Sequence, residues 1–139
     1  MYPFTYEVSL RVRHKKIAAA EITRELDLEA KHCWSVGDRN PMSSGIRSES
    51  YWTHRFRHSE GIMLNVFLQN IISELSARQR FLEKLVLTGG TVELFIGWFL
   101  GSNSGETFDW RLLEKLGDLR INLSFDFYSK EDSDATRGP

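Results

Sequence analysis

Tyr6-Glu7-Val8-Ser9-Leu10-Arg11-Val12-Arg13-His14 alternates apolar and polar side chains at every step as far as Arg13. A strand turns successive side chains to opposite faces, so Tyr6, Val8, Leu10 and Val12 share one face and Glu7, Ser9, Arg11 and Arg13 the other. This is the pattern of a half-buried strand, with one side for a core and one for water. A sheet built from such strands needs helices on one face only, and the rest of the chain supplies them.

Further along, His32, Trp34 and Val36 alternate with Cys33 and Ser35, a second strand ending at Gly37-Asp38. Ser50 to His58 alternates again, with Trp52, His54 and Phe56 opposite Tyr51, Thr53, Arg55 and Arg57. Thr91 to Leu100 reads as a fourth strand and Ile121 to Tyr128 as a fifth. Between them the apolar period changes to 3.6 over about Ala18–Leu26, over Ile62–Leu87 and over Phe108–Leu119. Ser76-Ala77-Arg78-Gln79 fits a capping box and predicts that the long region is two helices joined near Ser76. Gly89-Gly90 ends the second of them as a left-handed cap. Arg39–Glu49 is almost without apolar residues and reads as an exposed loop. The expectation is an α+β fold: a five-stranded, mostly antiparallel sheet with helices packed on one face. Its first part has a ferredoxin-like split βαβ core, extended by an added helix and strand. Residues 1–129 are expected to form this single α+β domain, with 130–139 a disordered C-terminal tail.

Composition narrows the function classes. With 139 residues the chain can bury a core without disulfides or metals. Its 41% hydrophobic and 27% charged residues are those of a globular domain. A net charge of −1 gives no global field for nucleic acid or acidic lipid. The single cysteine, Cys33, excludes an internal disulfide and argues against a cysteine zinc site. No basic, then apolar, leader opens the sequence, and Asn65, Gln69 and Asn70 interrupt the longest apolar stretch, so a cytoplasmic location is expected with no membrane partner.

The chemistry-bearing residues form no recognisable reactive set. On a strand, His54 and His58 would lie roughly 13 Å apart at ~3.3 Å per residue, too far to share a metal ion. Cys33 and His32 are neighbours and point to opposite faces, so they cannot act as nucleophile and base, and a half-buried free thiol is the plainer reading. Gly101-Ser102-Asn103-Ser104-Gly105 has asparagine where a nucleophile elbow needs serine, and it lacks the Lys-Ser/Thr ending of a phosphate cradle. No metal and no cofactor is expected.

The polar side of the sheet is the most informative surface. It should carry Arg11, Arg13, Arg55 and Arg57 with Glu7, Glu93 and Asp126 near them. Cross-strand ion pairing ranks first as their role. A groove for an anionic ligand or acidic partner ranks second, because guanidinium forks suit carboxylates. Nucleic acid ranks third, with only Tyr51, Phe95 and Phe99 as stacking candidates.

In their order along the chain, several landmarks resemble a bacterial family, domain of unknown function 4279. They are Ile22-Thr23-Arg24-Glu25-Leu26-Asp27-Leu28, Trp34, Gly37-Asp38, Trp52, Leu116-Gly117 and Asp126-Phe127-Tyr128. The resemblance runs from about Tyr6 to Tyr128. Asp27 and Ala30 depart from it, standing where the family has a turn glycine and a proline. It implies a bacterial, cytoplasmic α+β domain and brings no activity or catalytic residue.

The leading expectation is a non-catalytic binding or protein-interaction domain, with an immunity-type role as one form of it. The alternative is a small-molecule binder or enzyme with a site at the rim formed by Trp34, Asp38, Arg47 and Trp52. The candidate ligand-binding residues are Asp38, Arg39, Arg47, Arg11 and Arg57. The expected partner is an unidentified protein or a second copy of the chain. A homodimer is expected because Phe95 and Phe99 lie on the uncovered face of the fourth strand.

Overall fold

The alternating stretch forms β1 (Phe4–His14) and takes the centre of the sheet, where a strand finds partners on both edges. The computed structural model describes residues 4–58, 60–101 and 103–129, so the expected disordered tail at 130–139, and Ser102 of the glycine-flanked loop, lie outside the described residues. Among these residues the elements run β1, α1 (Ala19–Leu26), β2 (His32–Trp34), β3 (Ser50–Phe56), α2 (Leu64–Leu75), α3 (Gln79–Leu87), β4 (Thr91–Leu100), α4 (Trp110–Asp118) and β5 (Asn122–Tyr128). The strand order is β2-β3-β1-β4-β5. Three strand pairs are antiparallel and β4–β5 is parallel, reached through the α4 crossover.

The register carries the alternation across the sheet. Val8 faces Phe56 on one side and Ile96 on the other, and Leu10 faces His54 and Leu94. Val8, Leu10, Val12, Trp52, Leu94 and Ile96 are all fully buried. They pack with Ile22 and Leu26 of α1, with Leu64, Leu68 and Ile72 of α2, with Leu82 and Leu85 of α3, and with Leu112 and Leu116 of α4. Burying each such side chain is worth about 1.5–3 kcal/mol, which is why the helices share one face of the sheet. The opposite face carries Glu7, Ser9, Arg11 and Arg13 on β1, each exposed or half-buried.

Several local readings are refined. Helix α1 ends where Asp27 takes the left-handed conformation, φ 53°, the conformation for which the family resemblance has a glycine. Aspartate reaches that region more readily than most residues. The long helical region does divide at Ser76, through a 3-10 turn over Ser76–Arg78. The capping box is not formed, however. Ser76 Oγ donates back to Ile72 O at 2.8 Å, and the Gln79 amide donates to Glu83 Oε1 at 3.1 Å. Arg78 leaves helical geometry at φ −112°, ψ 18° just before α3, but Ser76 continues the preceding helix, so its hydroxyl is spent there rather than on the start of α3. Gly89, at φ 101°, is the expected left-handed cap, with Gly90 N–H on Leu85 O at 2.8 Å.

The polar loop after β2 is exposed and also pairs with itself. Gly37 N–H donates to Arg47 O at 2.9 Å, Arg47 N–H to Asp38 O at 2.7 Å and Asn40 N–H to Gly45 O at 3.0 Å. It is a small hairpin whose returning arm brings Arg47 back beside β2.

Candidate functional site

On the uncovered face, parity of register decides which side chains meet. Trp34 pairs with Tyr51, and Tyr51 with Arg13, so all three stand on this face in one row. The Trp34 and Tyr51 rings stack at 4.7 Å. The Arg13 guanidinium lies 4.8 Å from the Tyr51 ring, and the Arg47 guanidinium lies 3.8 Å from the Trp34 ring. The row is therefore cation, ring, ring, cation. Each cation–ring contact is worth about 0.5–1 kcal/mol at an open site.

Three other arginines of this face are ion-paired. Arg11 meets Glu93 at 3.5 Å, Arg13 meets Glu49 at 3.4 Å and Arg55 meets Glu7 at 2.7 Å. This is the ion pairing expected from the alternation, with Glu49 as a partner that the strand pattern does not reveal because it lies outside the strands. Arg47 differs. None of the ion pairs among the described residues involves it, and its Nε is shielded from solvent without a hydrogen-bond partner.

The predicted site residues do not converge. Asp38 braces its own turn, its Oδ2 accepting Ser35 N–H at 2.8 Å. Arg39 is exposed and forms the backbone bridge to Ile46. Arg11 lies in mid-sheet with its guanidinium 3.7 Å from the Phe95 ring. Arg57 is at the far end of β3, where it helps line an open groove of about 960 Å³ with Glu7, Glu29, Lys31, Arg55 and His58. The Trp34–Trp52 rim is split as well. Trp52 is 0% exposed on the covered face, its indole N–H donating to Thr23 Oγ1 at 2.9 Å, because neighbouring register positions face opposite ways. Trp34 and Arg47 are what remains of that rim.

The dimer surface expected at Phe95 and Phe99 is half-buried rather than open. Arg11 covers Phe95, and Phe99 stacks on Tyr128 at 4.9 Å. Tyr128 in turn donates its hydroxyl to Asp126. That bond is the main cause that raises the Tyr128 pKa, with burial adding to it, so the phenol stays protonated.

Histidines are used structurally. His14 is 2% exposed and its Nδ1 accepts both Lys16 N–H and Ile17 N–H at 2.9 Å. The proton therefore sits on Nε2, which donates to Thr88 Oγ1 at 2.7 Å. His54 Nδ1 donates to Glu29 O at 2.6 Å and His58 Nε2 to Tyr6 O at 2.9 Å. Cys33 is exposed, not half-buried, because β2 is the sheet edge. Among the described residues no three His, Cys, Asp or Glu side chains gather as a metal site, and no helix is long and apolar enough to cross a membrane.

A family model, Domain of unknown function (DUF4279), matches residues 4–130, from the first residue of β1 to just past the end of β5. The chain belongs to this family. The DUF4279 match spans all five strands and the crossover helix α4, so the sheet with its covered and uncovered faces is what the family model covers. No curated protein and no solved structure gives a significant match.

Proposed function

We propose that this DUF4279 domain is a non-catalytic binding domain, and that its uncovered sheet face receives an acidic protein partner at the corner formed by Arg47, Trp34, Tyr51 and Arg13. The observation that carries this reading is Arg47. It lies over the Trp34 ring with no carboxylate, on a face where Arg11, Arg13 and Arg55 each have one. A guanidinium fixed in this way has lost much of its rotamer entropy before a ligand arrives, which favours a partner carboxylate.

The shape of the corner favours a protein over a small molecule. Stacked side chains make a surface there, whereas small-molecule sites enclose most of their ligand. With Trp52 in the core and Asp38 bracing its own turn, the enzyme reading loses half of its rim. In the family's expected setting, the bacterial cytoplasm, such a domain acts by occupying a partner's surface, as an immunity-type protein does.

The test is an NMR titration of the full ¹⁵N-labelled chain with a glutamate-rich decapeptide, inorganic phosphate and single-stranded RNA in separate runs. The acidic peptide is expected to shift the Trp34 indole and Arg47 Nε signals, and Arg47→Glu to abolish the Trp34 shift while costing no more than about 1 kcal/mol of stability. A response to phosphate or RNA alone, or undiminished peptide binding by Arg47→Glu, overturns the reading.

A further inference from the structure

The two edges of the sheet are unequal. The β2 edge is three residues long and continues into the polar hairpin. The β5 edge is seven residues long, Asn122–Tyr128, and among the described residues its outer side has no strand partner. Proteins protect such edges with lysine, proline or bulges. Within β5 there is no lysine or proline, and its one charge, Asp126, is engaged by Tyr128.

Beside this edge lies an apolar strip. Phe127 on β5 is 57% exposed, and Trp110 and Leu113 on α4 are 65% and 47% exposed. Helix α2 lies over β1, where the Phe67 and Tyr6 rings are 5.8 Å apart. Leu112 and Lys115 line the crevice between α4 and α2. Since β1 and β5 flank β4 on opposite sides, the other flank of α4 looks out over the β5 edge. Trp110 and Leu113 occupy it at helical spacing. Gly117, near the end of α4, instead lines a groove with Val86, Gly90 and Val92 on the β4 side.

We infer that the β5 edge and this flank of α4 are a self-association surface, and that the partner is a second copy of the chain. Strand β5 is complementary to itself when paired antiparallel about Phe125. Ser124 then faces Asp126 of the other copy, Leu123 faces Phe127 and Asn122 faces Tyr128, and no two aspartates oppose. The two-fold axis stands perpendicular to the sheet, which joins the strands of both copies into one sheet. Both sets of helices remain on the same side, the two α4 helices run antiparallel, and the exposed Trp110 and Leu113 of each move toward the α4 of the partner. The Arg47 corners lie at the far edges, so this contact is independent of the proposed partner site.

Sedimentation velocity on the full chain from about 1 to 500 µM decides. A dimer is expected, weakened at least about 30-fold in Kd by Trp110→Lys with Phe127→Lys, as for the loss of central anchors. Amide exchange of residues 122–128 in the wild type slows with concentration if the edge pairs, and this needs no variant to fold. A monomer at 500 µM, a dimer untouched by the double substitution, or concentration-independent exchange overturns the inference.

Discussion

Two tryptophans on adjacent strands show how differently the faces of this sheet are built. Trp52 is sealed among core side chains, with its one polar atom satisfied by Thr23. Trp34, across β2–β3 and one register step away, lies between Arg47 and Tyr51 on the uncovered face. The covered face is held by apolar burial, and its contacts cannot be removed singly without leaving a cavity. The uncovered face is held by ion pairs and ring contacts that water can replace. The lesson is that residue type says less here than parity of register.

The sharpest way to break this comparison is to truncate both indoles. Trp52→Ala is expected to cost about 3–5 kcal/mol in a urea melt, through lost transfer energy and a cavity. Equal costs for the two tryptophans would end the distinction between the faces.

Gly90→Ala probes the tightest corner beneath the covered face. A Cβ there would stand 2.6 Å from Arg13 O, 2.7 Å from His14 Cδ2 and 2.8 Å from Leu85 O, two of them backbone atoms unable to yield. A loss of about 1–3 kcal/mol is expected by overpacking. A neutral Gly90→Ala would mean that the chain gives way there more easily than this packing allows.

His14 adds a pH dependence to the same corner. Burial lowers its pKa first, Lys16 and Lys84 lower it further, and Glu21 opposes them. The unfolded chain therefore takes up this proton before the folded one. The contribution of neutral His14 is full above about pH 6.5 and declines as the pH falls from there toward the folded pKa. Melts of the wild type and His14→Gln between pH 8 and pH 5 isolate the effect. The wild type is expected to lose stability more steeply on acidification, and parallel slopes would remove His14 as the cause.

The smallest effect belongs to the uncovered face. Trp34→Ala is expected to cost only about 0.5–1 kcal/mol, the scale of an open cation–ring contact, while removing the platform under Arg47. Its melt should nearly overlay that of the wild type even as the acidic-peptide response disappears.

The alternation of Tyr6–His14 and of Ser50–Phe56, the 3.6 periods and the Gly89-Gly90 cap were legible without a fold, because each is set by neighbours in the chain. The ion-paired character of the arginine face was legible from the alternation of charge on its strands, although the partners lie far apart in the chain. The capping box at Ser76 misled because its motif presumes a helix start, whereas Ser76 continues α2 into the 3-10 turn and α3 starts only after Arg78. The candidate site was harder to read. Asp38, Arg39 and Arg47 are near in sequence, yet one braces a turn, one is exposed, and only Arg47 returns to the sheet.

By itself the sequence determined the elements, their apolar faces and the α+β class, since periodicity is local and burial of an apolar stripe is obligatory. Only the tertiary structure decided that Trp34 and Trp52 face opposite ways, that Glu49 neutralises Arg13, and that Arg47 is left without a carboxylate. It also decided that β4 and β5 run parallel and leave a long open edge. Those facts depend on register and strand order, which are fixed by contacts between residues far apart in the chain.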